Sequence, residues 1–391
     1  MSFLLELGLL ILGAKVLGEA AERIKLPSIL GYIAAGIFLG PIHHIVTPSP
    51  EITVFAQLGA LLLLFVAGIR QIRLDEVMRN PLATVGVSFL GYLFPFVAVL
   101  FIASNAGNIV PGMQLSLNEM LIMAAALSTS AIVTSVKTLI SINKLESEGS
   151  RILLGASILD SFIGLFVFTV VITFATTSFA NVPRALGITA LTLAFFLIFY
   201  LAEKALPAII AKSRFLEVEE AQFTMVFVVM LGLVWLAEAI GLNGIIGAFF
   251  AGIIVSKTKM RESAFYEKIA SLTYGIFVPI FFAWAGLLTV PEITGFVVLV
   301  ALAVAASNIL GAYFGAALGG LSEKESLLVG VGMIPRGGID LVIVTAGMTL
   351  GLLSDAAGDL VFSTIVMTVI ATILITPLLL FVLFRPETSY A

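Results

Sequence analysis

Asp160 and Arg336 are opposite charges set inside long apolar runs, where a charged side chain is costly and rarely idle. Asp160 stands in RILLGASILDSFIGLFVF, nine residues after Arg151, which puts it at mid-depth of a membrane-length helix. A carboxylate at that depth costs about 2.5–3.5 kcal/mol on insertion scales, so it needs a partner or a role. Ser157 lies one helical turn before it on the same face. Arg336, in VGMIPRGGIDLV, is the matching cation. Ser128, Thr129 and Ser130 interrupt another apolar helix, in AAALSTSAIVTS. Burial and a neighbouring cation act in opposite senses on the proton affinity of such a carboxylate. Asp160 is therefore suited to exchange H+ for Na+, or for Li+ or K+, with oxygens from Thr129, Ser157, Ser130 and backbone carbonyls completing the shell. If only its neutralised forms reorient, one positive charge moves each way and the exchange is an electroneutral 1:1 antiport.

The elements that must hold these residues follow from composition. Of 391 residues, 60% are apolar and only 11% charged, against roughly 25% in soluble domains. Mean hydropathy is +1.17. The chain reads as an all-α polytopic membrane protein whose environment is the lipid bilayer. No cysteine is present, and the only histidines, His43 and His44, share one loop, so thiolate or histidine metal sites and catalytic triads have nothing to build with. The net charge of -4 and the lack of a basic run speak against nucleic acid. No cofactor motif and no enzymatic residue set are found.

Apolar runs give about 13 transmembrane helices. The first seven are expected near 3–22, 27–41, 52–69, 81–104, 119–140, 151–176 and 185–203. Six more are expected near 221–240, 242–256, 272–289, 293–317, 326–349 and 359–383. With that count, Arg23, Arg70, Arg73, Lys144, Arg151, Lys204, Lys257, Lys268, Lys324 and Arg385 share one side with the other basic loop residues, and only Arg184 falls opposite. Lysine and arginine favour the cytoplasmic side. The protein is expected in the cytoplasmic membrane, N-terminus outside and C-terminus inside.

The chain also repeats. At a shift of 216, Ala21, Glu22, Ile24, Leu26, Ile29, Gly31, Ala35, Gly36 and Ile37 meet identical residues from Ala237 to Ile253, nine identities in 17 positions. At a shift of 218, Gly68 meets Gly286. Residues 1–178 form one six-helix repeat, 179–216 a linker helix and 217–391 the second repeat. Because the linker crosses once, the second repeat is inverted, an arrangement that places substrate sites at broken helices near the midplane. The breaks are those of span five, at Ser128–Ser130, and of span twelve, where Pro335, Gly337 and Gly338 interrupt the helix.

The runs PSILGYIAAGIFLGP, LGALLLLFVAGI, ALSTSAIV, GLNGIIGAFFAGIIVS and MIPRGGIDLVIV, with the aspartate of span six, occur in this order over essentially the whole chain. Together they resemble the monovalent cation/proton antiporter superfamily, which includes sodium/proton exchangers and potassium-efflux proteins. The resemblance implies a homodimer, a dimerisation domain and a core domain moving in elevator fashion, and Asp160 as the ion-binding aspartate. Leu159 stands where many members have Asn or Asp, and Asn308 where electrogenic members carry Lys. Leu153 stands where members with the Pro-Arg-Gly motif often have Glu. Asp340, one turn after Arg336, Asp160 or both are left to balance Arg336.

Other polar groups have simpler readings. Glu22 and Glu238 are repeat equivalents at helix ends, and the glycines from Gly31 to Gly40 suit close helix packing. A cation-coupled symporter of organic anions is the alternative function, with Arg336 holding a substrate carboxylate.

Overall fold

The computed structural model describes residues 3–24, 26–70, 80–111, 113–176, 198–199, 201–210, 212–213, 220–239, 244–258, 264–291, 293–353 and 356–384. Among them there are helices and turns and no strands. Spans one to four are Phe3–Arg23, Ser28–Ile37 with a π-helical continuation over Phe38–Ile42, Pro50–Arg70 and Pro81–Ser104. Span five is two pieces, Leu117–Ala126 and Val133–Ser141, and span six is Glu148–Thr176. Most of the expected seventh span and its linker, with Arg184, lies outside the described residues. Spans eight, nine and eleven are Ala221–Ala239, Gly244–Ser256 and Gly295–Leu318. Span twelve is again two pieces, Glu323–Gly332 and Gly338–Thr349, and span thirteen is Ala356–Phe384. Among the described residues, seven helices are long and apolar enough to cross a membrane unaided.

Span ten begins earlier than its apolar run suggests. Helix Ala264–Leu272 leads through a π-turn, Thr273–Phe277, into Val278–Leu288. Phe265 and Ile269 are buried on its inner face, while Lys268 pairs outside with Glu220. Glu267 and Lys268 hide this amphipathic turn from a reading based on apolar runs.

The start signals recur in both repeats. Asn80 opens span four by accepting the Ala83 N–H at 3.1 Å, and Thr294 opens span eleven by accepting that of Val297 at 3.2 Å. Ser116 and Ser322 cap spans five and twelve in the same way, accepting from Glu119 and Glu325 at 3.3 Å. Each hydroxyl or amide satisfies an N–H that the helix itself cannot.

Packing follows the same symmetry. Spans one to three and eight to ten form one bundle; spans four to six and eleven to thirteen form the other. Span two packs on span ten as span nine packs on span three, and spans four and eleven pack on each other. The first two crossings are images of one another and depend on glycine. A Cβ on Gly36 would stand 2.9 Å from the Cα of Gly286, and one on Gly252 would stand 2.9 Å from the Cα of Gly68. These are the glycines paired by the sequence repeat, so the repeat is written into the helix contacts.

Gly252→Leu should therefore be tolerated poorly. Overpacking typically costs about 1–3 kcal/mol, and here the obstacle is backbone, which yields less than a side chain. Thermal melting of detergent-purified protein should show a clear loss for Gly252→Leu and little change for Gly232→Leu, where nothing stands within 4 Å.

Candidate functional site

The two broken spans cross, and their breaks bond to each other. The Ala131 N–H donates to the Pro335 carbonyl at 2.7 Å, and the Ser135 hydroxyl to the Gly332 carbonyl at 2.6 Å. Span twelve breaks because Pro335 has no N–H to continue the ladder. In span five the Ser128 hydroxyl turns back to the Ala124 carbonyl at 2.5 Å as the helix ends. Each half-helix has ten to twelve residues except Val133–Ser141, with nine. At 1.5 Å per residue that is about half of a 30 Å hydrocarbon core, so the breaks meet near its middle.

A half-helix that ends inside the protein leaves its last carbonyls unsatisfied and its carbonyl end partly negative. Arg336 answers this at span five. Its Nη1 donates to the carbonyls of Ser128, at 3.3 Å, and Thr129, and reaches Ser130 Oγ at 3.4 Å. Its own N–H donates to Thr372 Oγ1 on span thirteen at 3.2 Å. Arg336 is fully buried, and it makes no ion pair within 4 Å among the described residues. Sequence reasoning paired it with a carboxylate; the guanidinium instead caps a helix end, with Asp340 and Asp160 near enough for electrostatic interaction. Leu153, where a Glu is expected in relatives, is buried and packs towards Gly332.

The carboxylates take the N–H groups of the breaks. Asp340 accepts the Gly337 N–H at the start of helix Gly338–Thr349, where a negative charge is favoured. It also accepts the Thr129 hydroxyl. Asp160 Oδ2 accepts the Ser130 N–H at 2.6 Å, while Asp160 Oδ1 is buried without a partner among the described residues. Arg336 Nε and Nη2 are likewise unpartnered there.

A cavity of about 390 Å³ reaches this cluster. Thr129, Ser130, Ser157, Arg336 and Asp340 line it, and Pro27 and Tyr274 line its side towards the basic loops. Asp160 lies just behind that wall, under Ser130. The Ser157 hydroxyl donates to the Leu154 carbonyl at 2.9 Å, leaving its lone pairs free. Asn308 is not in the cavity wall; its side-chain amide donates to the Gly91 carbonyl at 3.0 Å and ties span eleven to span four. Ser161, absent from the sequence-based set, does line the cavity and donates to the Ser157 carbonyl at 3.0 Å. Its spacing of four from Ser157 was the available signal. Thr372 left none, since one threonine among several in span thirteen says nothing about a break far away in sequence.

The arrangement can hold a monovalent cation with carboxylate, hydroxyl and carbonyl oxygens. Among the described residues no group of three or more His, Cys, Asp or Glu side chains is placed to bind a metal ion.

Comparison with known proteins bears on the whole chain. Residues 8–385 match the model of the transmembrane sodium/hydrogen exchanger family. A probable Na(+)/H(+) antiporter of Bacillus cereus, GerT, is 31% identical, covering 90% of this chain and 93% of its own. A Na(+)/H(+) antiporter of Enterococcus hirae is 29% identical over 97% of both. The structure of the sodium proton antiporter MjNhaP1 of Methanocaldococcus jannaschii superposes with a TM-score of 0.70 over 96% of this chain and 94% of that one, at 17% identity, which shows the shared fold. A polytopic helical chain with two crossed broken spans, matched from near one end to the other, belongs to the sodium/hydrogen exchanger family.

Proposed function

We propose that this protein is a secondary antiporter that exchanges a monovalent cation, Na+ in first place and otherwise Li+ or K+, for H+ across the cytoplasmic membrane. The observation that carries the reading is Asp160 Oδ1: a buried carboxylate oxygen with no partner among the described residues, at the crossing of two broken helices beside a cavity that Thr129, Ser130 and Ser157 help to line. The named relatives are sodium/proton antiporters. Neither is named as an organic-anion symporter.

The charge count gives the stoichiometry. Asp160 and Asp340 with Arg336 sum to a formal charge of -1. One proton or one Na+ on Asp160 makes the cluster neutral, and a neutral cluster crosses the low-dielectric centre at far lower cost than a charged one. Asp340 stays engaged with Thr129 and Gly337 and orients the break, while Thr129, Ser130 and Ser157 offer further oxygens to the cation. Spans four to six and eleven to thirteen move against spans one to three and eight to ten, carrying the cluster from one face to the other. The cavity side lined by Pro27 and Tyr274 is the cytoplasmic one, with the N-terminus outside. A homodimer follows from the resemblance, formed through the non-moving bundle.

In proteoliposomes with an imposed pH gradient, Na+ should collapse the gradient for the unaltered protein and not for Asp160→Asn. Clamping the membrane potential should leave the rate unchanged, as 1:1 exchange requires. Full exchange by Asp160→Asn, or rates that follow the potential, would contradict the assignment.

Removing Arg336 strands two carboxylates and a helix end. Arg336→Met is expected to cost about 3–5 kcal/mol, the range for breaking a buried charged network. Arg336→Lys keeps the charge, but its shorter chain and compact ammonium do not reproduce the reach of the planar guanidinium, and it should recover only part of the loss. Melting temperatures of the two variants against the unaltered protein test the order.

A further inference from the structure

A second cavity, of about 130 Å³, lies between spans three, eight, nine, ten and twelve. Gln57, Glu238, Gly244, Trp284, Thr345 and Ala346 are in its wall. It is the repeat image of the large cavity. Ile29 and Leu63 line the large one, and their equivalents Ile245 and Phe281, at shifts of 216 and 218, line the small one. Because the repeats are inverted, the image of a cavity towards the basic loops is a cavity towards the opposite face. One structure thus holds an enlarged vestibule on one side and its contracted counterpart on the other.

The equivalent carboxylates differ in what neutralises them. Glu22 accepts Lys137 Nζ on both oxygens at 2.7 Å and the Ser28 N–H at 3.1 Å. Glu238 stands beside Gly244, the repeat mate of Ser28, is exposed, and makes no ion pair among the described residues. Where Lys137 follows the break of span five, span twelve runs Leu341, Val342, Ile343, Val344 after its own break and offers no cation. Trp284 is 5% exposed, and its Nε1 is buried without a partner among the described residues. Its ring face attracts cations, and its N–H is free to donate to Glu238 or to a water carried by an ion. Gln57 and Thr345, which carry side-chain oxygens, also line it.

We propose that the small cavity is the contracted vestibule of the non-basic face and that Glu238 collects the monovalent cation there, with Gln57, Thr345 and Trp284 around it. This rests on the antiport reading above. It makes the two faces chemically unequal: Glu22 is already paired by a lysine, whereas Glu238 is left to the ion.

The test is a comparison of faces. Right-side-out and everted membrane vesicles, from a host without its own exchange activity, expose opposite faces of the protein to added Na+. Glu238→Gln should raise the half-saturating Na+ at the non-basic face about three- to tenfold, as loss of one steering charge does. At the basic face it should change less than about twofold, and the gap between faces should narrow at high ionic strength as charges are screened. Glu22→Gln should leave the non-basic face unaltered. Equal changes on both faces, or none at the non-basic face, would overturn the proposal. The vestibule itself is tested without transport. The chain has no cysteine, so Ala346→Cys gives a single thiol in the cavity wall. A membrane-impermeant thiol reagent should label it from the non-basic face and not from the basic one; labelling from the basic face, or from neither, overturns it. Absence of Na+/H+ exchange by the unaltered protein would refute the antiport reading alone, and the labelling would still decide the vestibule.

Discussion

A broken helix inside a bilayer must have its loose backbone groups satisfied by protein, because the hydrocarbon offers no hydrogen bonds. Everything at the centre of this molecule answers that requirement. The carbonyl end of Leu117–Ala126 is met by Arg336, the N–H groups beyond it by Asp160 and those at Gly337 by Asp340, while Ala131 and Pro335 bond the two breaks directly. The charges of the proposed ion site are thus the charges that let the helices break. Two anions and one cation suffice for the backbone, and the unequal count leaves the cluster one proton or one cation short of neutrality. Selection for a stable crossing and for exchange therefore bears on the same three side chains.

Much of this was legible in the sequence because apolar surroundings make any exception conspicuous. Asp160 and Arg336 stood out from their runs, Pro335 marked one break and Ser128–Ser130 the other, and nine identities at one shift revealed the repeat. What sequence could not supply was the partner of Arg336. Opposite charges invite pairing, but a helix broken beside a guanidinium presents successive carbonyls in a fixed row, and such acceptors carry no letter in the sequence. The same holds for Asp160, which accepts the backbone N–H of Ser130. Asn308 stands where a lysine occurs in electrogenic relatives, and its side-chain amide donates to the Gly91 carbonyl, a packing bond between spans four and eleven.

The two bundles touch in ways that suit sliding. Within the first bundle, backbone meets backbone at Gly36–Gly286 and Gly68–Gly252, a contact that tolerates no added atom and so resists shear. Between the bundles the contacts are fewer, and a prominent polar one, Lys137 to Glu22, is solvent-exposed. Exposed ion pairs contribute little net stability, because water competes for both partners and salt screens them. A pair of that kind can form in one state and be given up in the other without trapping either.

Inverted repeats make the two faces alike in backbone, so any difference between inward and outward states has to come from side chains. The glycine crossings recur in both repeats, so the frame itself is symmetric. The lysine at position 137 has no counterpart in span twelve, and one vestibule is three times the volume of the other. A protein with perfectly symmetric side chains would populate the two states equally and bind the ion alike from both sides. In the proposed exchange the symmetric frame supplies the path, and departures from symmetry at its two mouths are what distinguish one face from the other.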